Sequence, residues 1–265
     1  FDSRRDDGVG IVMVRHDGSD RHLVSHGAAL NVSPRWSPDG ARLAYTAGSG
    51  ADRHVVVYDI ARAQETQWGG STVGLMRPVW RKADAILALG LVQTSDRLDF
   101  DIFSLTPEAA VPYQQTPKYA EWCVEVDQGG SVIAFESNDG GDREIFVISK
   151  KLTPVDVSNH RAADWNPVWS PDGKWLAFES FRSGRRGVYR CYTSTLRIYP
   201  VAVADDHDNW APAWSPDGKR LAFVSDRTGK PELFVADLKT DTLRQVTQGQ
   251  GDALAPAWRP GGEEP

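Results

Sequence analysis

Two short stretches of the sequence bring histidine and carboxylate side chains close together. The first contains His160 and Asp164, and the second is the run Asp205-Asp-His-Asp208. Imidazole nitrogens and carboxylate oxygens are ligands for divalent metals, so either stretch could supply them. Neither spacing matches a diagnostic ligand motif, and a charge run in a loop is usually a solvated surface. The sequence therefore predicts no metal site and no cofactor.

Two glutamates raise the possibility of acid and base catalysis. Glu136 and Glu179 occupy equivalent positions in adjacent sequence units. Such a pair works only where the two carboxyl groups converge and their pKa values are pushed apart, and a repeated strand position explains them more simply. The sequence has no nucleophile elbow, no His-Glu-x-x-His motif and no phosphate-binding loop. We predict no catalytic residue, and a non-enzymatic protein is favoured.

Trp165 and Trp210 are the strongest binding candidates, because sister units carry other residues at the same position. That position lies two residues before a repeated proline, and its six occupants are Val32, Met76, Lys118, Trp165, Trp210 and Leu254. The polar residues at or beside it are Asp164, Asn166, Asn209, Ser33, Arg77 and Tyr119. Aromatic surface with convergent polar groups is the usual composition of a binding site. The alternative is that both indoles only plug a channel mouth.

A repeated unit of about 44 residues positions these candidates. Three copies are nearly identical: Pro34-Arg-Trp36-Ser-Pro-Asp-Gly40, Pro167-Val-Trp169-Ser-Pro-Asp-Gly173 and Pro212-Ala-Trp214-Ser-Pro-Asp-Gly218. Weaker copies contain Trp80, Trp122 and Trp258, and the six tryptophans follow one another at intervals of 42 to 47 residues. This period is typical of a four-stranded propeller blade. We expect the repeated tryptophan to pack between blades.

Each segment of the unit has the pattern of a strand or a tight turn. Ser-Pro-Asp-Gly fits a type I turn, and Leu176-Ala-Phe178 after it alternates large and small side chains. Glu144-Ile-Phe-Val-Ile148 and Leu243-Arg-Gln-Val-Thr247 have the composition of a third and a fourth strand. No segment shows helical periodicity. The sequence therefore predicts an all-β fold, a six-bladed β-propeller of four-stranded antiparallel blades.

The ring is expected to close through a blade that both ends of the chain share. Residues 1–30 match the second, third and fourth strands of a unit, and residues 252–265 supply its first strand. We predict one domain over 1–265, with blades at about 34–75, 76–117, 118–162, 163–206 and 207–251, and a sixth from 252–265 plus 1–30.

Composition narrows the classes of partner. The net charge of −6 at pH 7 gives no basic footprint for nucleic acid, and no apolar stretch is long enough to cross a bilayer. Cys123 and Cys191 have neither metal-type nor redox-type spacing. The one basic cluster, Arg182 to Arg190, is interpreted as a solvated blade edge. The chain is expected to be a monomer without membrane insertion.

The repeat Pro-x-Trp-Ser-Pro-Asp-Gly-x-x-Leu-Ala-Phe, followed by a segment such as Ser225-Asp-Arg-Thr-Gly229, closely resembles that of the TolB propeller family. The resemblance covers essentially the whole chain and is strongest in the first, fourth and fifth units. It implies a WD40-like, six-bladed repeat protein, located in the periplasm or outside the cell, that binds proteins. Similar repeats occur in propellers of prolyl oligopeptidase-like peptidases and in oligogalacturonate lyases, so the repeat identifies the fold more closely than the function.

Three functions are open at this stage. The first is a protein-binding scaffold that uses the funnel face of the propeller. The second is a lyase or hydrolase, or a site for a small ligand or metal, in the funnel, for which the available residues are His160, Asp164, His207 and Glu121. The third is an accessory propeller of a larger peptidase or receptor. We rank them in this order, because no catalytic motif is present.

Overall fold

A computed structural model describes the chain as six four-stranded antiparallel sheets arranged as a ring of blades. The structure describes residues 1–5, 8–15, 17–25, 30–72, 74–93, 98–113, 122–127, 129–138, 141–149, 153–249 and 252–260. In these ranges the only helical element is one 3-10 turn, Gly50–Asp52. The prediction of an all-β, six-bladed propeller is confirmed.

The first half of the chain forms three strands of the sixth blade and then the first three blades. The strands of the sixth blade are β1 (Asp2–Arg5), β2 (Gly8–Met13) and β3 (His22–Leu23). Those of the first blade are β4 (Asn31–Trp36), β5 (Arg42–Ala47), β6 (His54–Asp59) and β7 (Gln64–Trp68). Those of the second are β8 (Leu75–Lys82), β9 (Ala85–Gln93), β10 (Leu98–Leu105) and β11 (Ala110–Pro112). Those of the third are β12 (Val124–Val126), β13 (Val132–Ser137), β14 (Glu144–Ser149) and β15 (Val155–Asp156).

The second half forms two more blades and completes the sixth. The strands of the fourth blade are β16 (Asp164–Trp169), β17 (Trp175–Ser180), β18 (Gly187–Tyr192) and β19 (Arg197–Ala202). Those of the fifth are β20 (Asn209–Trp214), β21 (Arg220–Ser225), β22 (Glu232–Asp237) and β23 (Thr242–Gln245). The last strand is β24 (Ala253–Ala255). Six strands form the inner wall of the ring, and each contacts the next one around it: β4, β8, β12, β16, β20 and β24.

The sixth blade closes the ring as expected from the sequence. Strand β24 pairs with β1, so that Asp2 lies opposite Ala255 and Ser3 lies opposite Ala253. The backbone N–H of Ala255 also donates to Oδ1 of Asp2 at 2.5 Å. Hydrogen bonds between the two ends of the chain therefore fasten the ring.

Each Ser-Pro-Asp-Gly segment forms the predicted tight turn between the first and second strands of its blade. In the fifth blade the hydroxyl of Ser215 donates to the Asp217 carboxylate at 2.5 Å, and the N–H of Gly218 donates to the Ser215 carbonyl at 2.9 Å. Gly218 has a φ of 68°, a left-handed conformation that favours glycine. The motif is repeated because each of its residues satisfies a separate demand of the turn.

The repeated tryptophans lie between blades. The indole N–H of Trp80 donates to the Arg35 carbonyl at 3.0 Å, and that of Trp214 donates to the Val168 carbonyl at 3.1 Å. Both rings are buried, and each bond reaches the inner strand of the preceding blade. Trp258 makes the same contact with the fifth blade. A tryptophan is suited to this position because it adds a hydrogen-bond donor to a large apolar ring.

The third blade corrects one assignment made from the sequence. In the fourth blade, Trp169 pairs with Leu176 of the second strand. The residue equivalent to Leu176 in the third blade is Ile133, and it pairs with Val126. Val126 therefore occupies the position of the repeated tryptophan. The interpretation of Trp122 as the packing tryptophan of this blade was wrong, because its register differs by four residues.

Small residues in the second strands allow neighbouring blades to approach closely. Ala134 of the third blade packs with Leu176 and Phe178 of the fourth in one buried cluster. Ala177 packs in turn with Trp214 and Leu221 of the fifth blade. The core is thus divided into layers between successive blades. No helix in the described part of the chain is long and apolar enough to span a membrane.

Candidate functional site

One face of the propeller carries the residues singled out by the sequence. We call it the entry face, and it is the face on which the inner strands begin and on which the loops before the third strands lie. With the corrected register, Trp122 of the third blade corresponds to Trp165 and Trp210 of the fourth and fifth blades. Three consecutive blades therefore present tryptophan at the same position, and all three rings are half-buried.

Arginine side chains lie between these tryptophans. The guanidinium carbon of Arg143 is 3.9 Å from the centroid of the Trp122 ring and 5.1 Å from that of Trp165. The guanidinium carbon of Arg186 is 5.6 Å from the centroid of Trp165 and 5.3 Å from that of Trp210. These distances fall within the range of cation–π attraction. We call these five residues the Trp–Arg ladder.

Buried glutamates fix the two arginines of the ladder. Nε of Arg186 donates to Glu179 Oε2 at 2.6 Å, and Arg143 Nη1 lies 3.6 Å from Glu136 Oε2. Both glutamate side chains are 1% exposed, and burial raises the pKa of Glu136. In each blade the arginine follows the glutamate by seven residues. The ladder is thus built from a pair that repeats in the third and fourth blades.

The same glutamates support the backbone of the neighbouring blade. Oε1 of Glu136 accepts the backbone N–H of Asn166 at 2.7 Å, and Oε1 of Glu179 accepts that of Ala211 at 2.7 Å. Asn166 and Ala211 have φ values of 49° and 51°, so this N–H is turned out of the strand ladder. Asn166 Nδ2 also donates to Glu179 Oε1 at 2.6 Å. These bonds favour the structural explanation of the two glutamates over an acid and base pair.

Inside the ring, a narrow channel of polar side chains begins below the ladder. It encloses a cavity of about 60 Å³, and it is lined by Ser33, Arg35, Arg77, Cys123, Glu125 and Asn166 together with inner-strand prolines and small apolar residues. Arg77 donates to the Trp122 carbonyl at 3.0 Å and to Asn166 Oδ1. Arg35 Nη2 lies 2.7 Å from Glu125 Oε1. Side chains from the first and second blades therefore reach the third and fourth across the channel.

The structure separates the predicted binding residues into two groups. Trp165, Trp210, Asn166 and Arg77 line the entry face or the channel. The side chains of Asp164 and Asn209 are fully buried.

Asp164 and Asn209 are bound to arginines of their own blades. Asp164 Oδ2 lies 3.0 Å from Arg182 Nη2, and Asn209 Oδ1 accepts a hydrogen bond from Arg227 Nη2 at 3.0 Å. Through these contacts they hold the strands that carry Trp165 and Trp210. Tyr119 lies outside the described residues, and the corrected register places Cys123 at its equivalent position.

Part of the interpretation of the basic cluster was also wrong. The side chains of Arg182 and Arg186 are only 14% and 25% exposed, because each forms an ion pair with a buried carboxylate. Arg190 lies over the Trp175 ring at 4.4 Å. These residues hold the fourth blade together and are not a solvated edge.

The two histidine-containing stretches have other partners. His160 Nδ1 accepts the backbone N–H of Ala162 at 3.0 Å, His207 Nδ1 lies 2.6 Å from Asp206 Oδ1, and Asp208 pairs with Arg185 at 3.1 Å. Within the described ranges, no three histidine, cysteine or carboxylate side chains converge as ligands would. Glu121 lies outside these ranges.

Sequence analysis missed Trp122, Arg143 and Arg186 as parts of the site. Trp122 was assigned to the wrong repeat position, and the arginines lie in loops about 20 residues away from the tryptophans that they contact. A usable signal was present, since Glu136 and Glu179 are each followed seven residues later by arginine in consecutive units.

Comparisons with known proteins show similarity to TolB propellers in both sequence and fold. The family model described as TolB beta propeller domain matches residues 197–264. The Tol-Pal system protein TolB of Desulfosudis oleivorans is 30% identical over 87 residues, which are 29% of this chain and 20% of that protein. The six four-stranded blades of the structure agree with a match to a propeller family. The chain is a TolB-like six-bladed β-propeller. The aligned part of this TolB-like propeller thus spans only a fifth of the length of the curated relative.

Solved structures show the same fold as the TolB-like propeller at low sequence identity. TolB from Acinetobacter baumannii has a TM-score of 0.80 at 17% identity, and the match covers 95% of this chain and 63% of that one. The putative TolB from Agrobacterium tumefaciens has a TM-score of 0.75 at 16% identity, with 91% and 90% covered. An oligogalacturonate lyase in complex with manganese has a TM-score of 0.54 at 14% identity, with 90% and 72% covered. These likenesses show the fold alone.

Two buried carboxyl groups meet between the third and fourth blades of the TolB-like propeller. Glu144 accepts hydrogen bonds from the Ser158 hydroxyl at 2.5 Å and from the His160 N–H at 3.1 Å. Its carboxyl group is also hydrogen-bonded to Asp164. Burial, with a further contribution from the Asp164 carboxylate, raises the pKa of Glu144 from 4.5 to about 7.

This pair predicts a specific pH dependence of stability. Between pH 4.5 and about 7, Glu144 is protonated in the folded protein and ionised in the unfolded one. The folded state then binds more protons, so the free energy of unfolding should fall as pH rises across this window. In urea unfolding, Glu144→Gln should therefore gain stability relative to wild type between about pH 5 and about pH 8.

The matched control for this measurement is Glu232→Gln in the fifth blade. Glu232 occupies the equivalent strand position and accepts the N–H of Gly249, but the facing residue of the next blade is Ala253 instead of an acid. Parallel stability curves for wild type and Glu144→Gln across the window would contradict the assignment of the pH dependence to Glu144.

Proposed function

We propose that this TolB-like propeller is a non-catalytic scaffold that binds a protein partner through its entry face. The observation that carries the proposal is the Trp–Arg ladder on three consecutive blades. Tryptophan and arginine are the residues most enriched at the energetic centres of protein interfaces. The equivalent positions of the remaining blades hold Val32, Met76 and Leu254, so the aromatic surface is concentrated on one side of the channel.

The rigidity of the ladder supports the same function. Glu179 holds Arg186 through two contacts, at 2.6 and 2.5 Å, and Arg186 in turn lies between two indole rings. A partner would therefore meet side chains whose conformations are already fixed. Binding to such a surface loses less conformational entropy than binding to mobile side chains.

The channel below the ladder would form the floor of the interface. In this proposal Trp165, Trp210, Asn166 and Arg77 face the partner, whereas Asp164 and Asn209 hold the strands behind them. The role of Tyr119 stays a prediction. A periplasmic or extracellular location, which the resemblance to TolB implies, belongs to the same proposal.

Removing two indoles from the ladder tests the proposal. An affinity capture from native extract of the source cells should retain a protein on the wild-type chain and lose it on the double variant Trp165→Ala/Trp210→Ala. We expect the loss to exceed tenfold, because each substitution at an interface centre costs about 2 kcal/mol or more. The retained protein is quantified by mass spectrometry and its affinity is then measured with purified components.

The control is Leu243→Ala, which removes a 44% exposed apolar side chain from the outer strand of the fifth blade. It should retain the same protein as wild type. Circular dichroism checks that every variant is folded. The proposal fails if the folded double variant captures the same proteins as wild type in equal amounts.

A further inference from the structure

Four arginines surround the channel and the ladder, and three of them have a carboxylate partner. The pairs are Arg35 with Glu125, Arg143 with Glu136, and Arg186 with Glu179. The fourth is Arg77, and no carboxylate among the described residues lies within 4.0 Å of its guanidinium group. Among the described residues, Arg77 is thus the one arginine of this group without a carboxylate in contact.

The immediate neighbours of Arg77 are neutral. Its guanidinium donates to the Trp122 carbonyl at 3.0 Å and to the side-chain oxygen of Asn166. The Cys123 thiol, which also lines the channel, has its pKa raised to about 12 by burial and is protonated at neutral pH. The pKa of Arg77 is raised, most by the charge that Cys123 carries once it is ionised and then by carboxylates farther away, Glu136 and Glu179 among them. The guanidinium is therefore charged without a counter-ion in contact.

A charged guanidinium inside a protein is costly unless a counter-ion and hydrogen-bond acceptors satisfy it. A guanidinium has five N–H donors, and Arg77 uses two of its donors in the bonds described above. Beside it lies the channel cavity of about 60 Å³, whose lining also includes Ser33. The channel thus offers a cation, unused donors and room for a small anion.

We propose that the channel binds a small carboxylate against the Arg77 guanidinium. A carboxylate fits the planar fork of arginine better than a spherical ion does, because two parallel N–H···O bonds can form. The carboxylate could belong to a free organic acid or to the C-terminus of a peptide. This site uses Arg77, which also faces the partner in the proposed function, but it does not use the tryptophans of the ladder. Acetate binding and capture of a protein partner can therefore be measured separately.

Acetate is the probe for the test. Isothermal titration of the full chain with sodium acetate, at constant ionic strength in chloride, should give one site with a Kd on the order of 1 mM. Arg77→Gln should weaken acetate at least about tenfold, because a charge-assisted pair of hydrogen bonds is lost. Arg77→Lys keeps the charge but not the planar fork, so its affinity for acetate should lie between those of wild type and Arg77→Gln. It also provides a test if Arg77→Gln does not fold.

The matched control is Arg81→Gln, on the same strand but outside the channel, where Arg81 donates to the Gly130 carbonyl at 3.1 Å. It should bind acetate as wild type does. The proposal is overturned if wild type binds no acetate, or if folded Arg77→Gln and Arg77→Lys both bind it unchanged.

A second pair of probes distinguishes the sources of the carboxylate. Triglycine binding with loss on C-terminal amidation assigns the site to a chain terminus, whereas binding of acetate alone assigns it to a free acid. Retention of acetate by Trp165→Ala/Trp210→Ala, together with loss of the captured protein, would separate the channel site from the entry face. Failure of either proposal can therefore be recognised without the other.

Discussion

The free energy of unfolding is expected to fall by about 3–5 kcal/mol when Trp214 is replaced by alanine. The ring is 8% exposed and packs with Ala177 and Leu221 between the fourth and fifth blades. Its removal leaves a cavity between the blades. It also removes the indole N–H that donates to the Val168 carbonyl at 3.1 Å. Urea unfolding followed by circular dichroism measures the loss.

Trp210→Ala is the matched control, because Trp210 lies four residues earlier on the same strand. Its ring is half-buried at the entry face, so a smaller loss of about 1–2 kcal/mol is expected. Trp214→Phe separates packing from hydrogen bonding, since it keeps most of the apolar ring and loses the donor. Equal losses for Trp214→Ala and Trp210→Ala would contradict the assignment of Trp210 to the binding face.

Replacing Glu179 by alanine is expected to cost about 3 kcal/mol of stability, and it should also disorder the ladder. The substitution removes the partner of Arg186, whose side chain is only 25% exposed. It further removes the acceptor of two hydrogen bonds, from the Ala211 N–H and from Asn166 Nδ2. A buried donor that loses its acceptor is destabilising in its own right.

The measurement is a double-mutant cycle in urea unfolding. Arg186→Ala alone and the pair Glu179→Ala/Arg186→Ala complete the cycle, and the pair should cost less than the sum of the single changes. Glu179→Gln keeps an acceptor for the Ala211 N–H and should lose less stability than Glu179→Ala. Additive losses in the cycle would show that Glu179 and Arg186 do not act together.

The fold could be predicted from the sequence because the blade repeat is visible in particular residues. Each Ser-Pro-Asp-Gly turn has local reasons for its residues, and the tryptophan that precedes it recurs at the blade period. The shared sixth blade was also predictable, because the last repeat unit contains only a first strand, β24, and the start of the chain supplies the other three. Local chemistry and one period were sufficient for these features.

The third blade shows where this reasoning stops. Val126 replaces the repeated tryptophan there, and Trp122 lies close enough in the sequence to be mistaken for it. A register error of four residues left Trp122 out of the candidate site and included Tyr119. Strand pairing, which brings Val126 opposite Ile133, was needed to correct the error.

The candidate site was only partly predictable for a second reason. Side chains alternate along a strand, so Asp164 and Trp165 point in different directions although they are adjacent. Asp164 is buried against Arg182, whereas Trp165 lies between two arginines at the entry face. Residues that are neighbours in the sequence can therefore have unrelated roles, and contacts between blades decide which role each one has.

The pairing of β24 with β1 has a consequence for how the protein folds. The hydrogen bond from Ala255 to Asp2 joins residues 253 positions apart, whereas the strands inside each of the first five blades are joined by short turns. Contacts within a hairpin form early, because little loop entropy is lost in making them. The closing pair has the largest loop to order, so we expect five blades to assemble while β1 still has an open edge. Folding speed and protection from aggregation therefore depend on how quickly that edge finds β24.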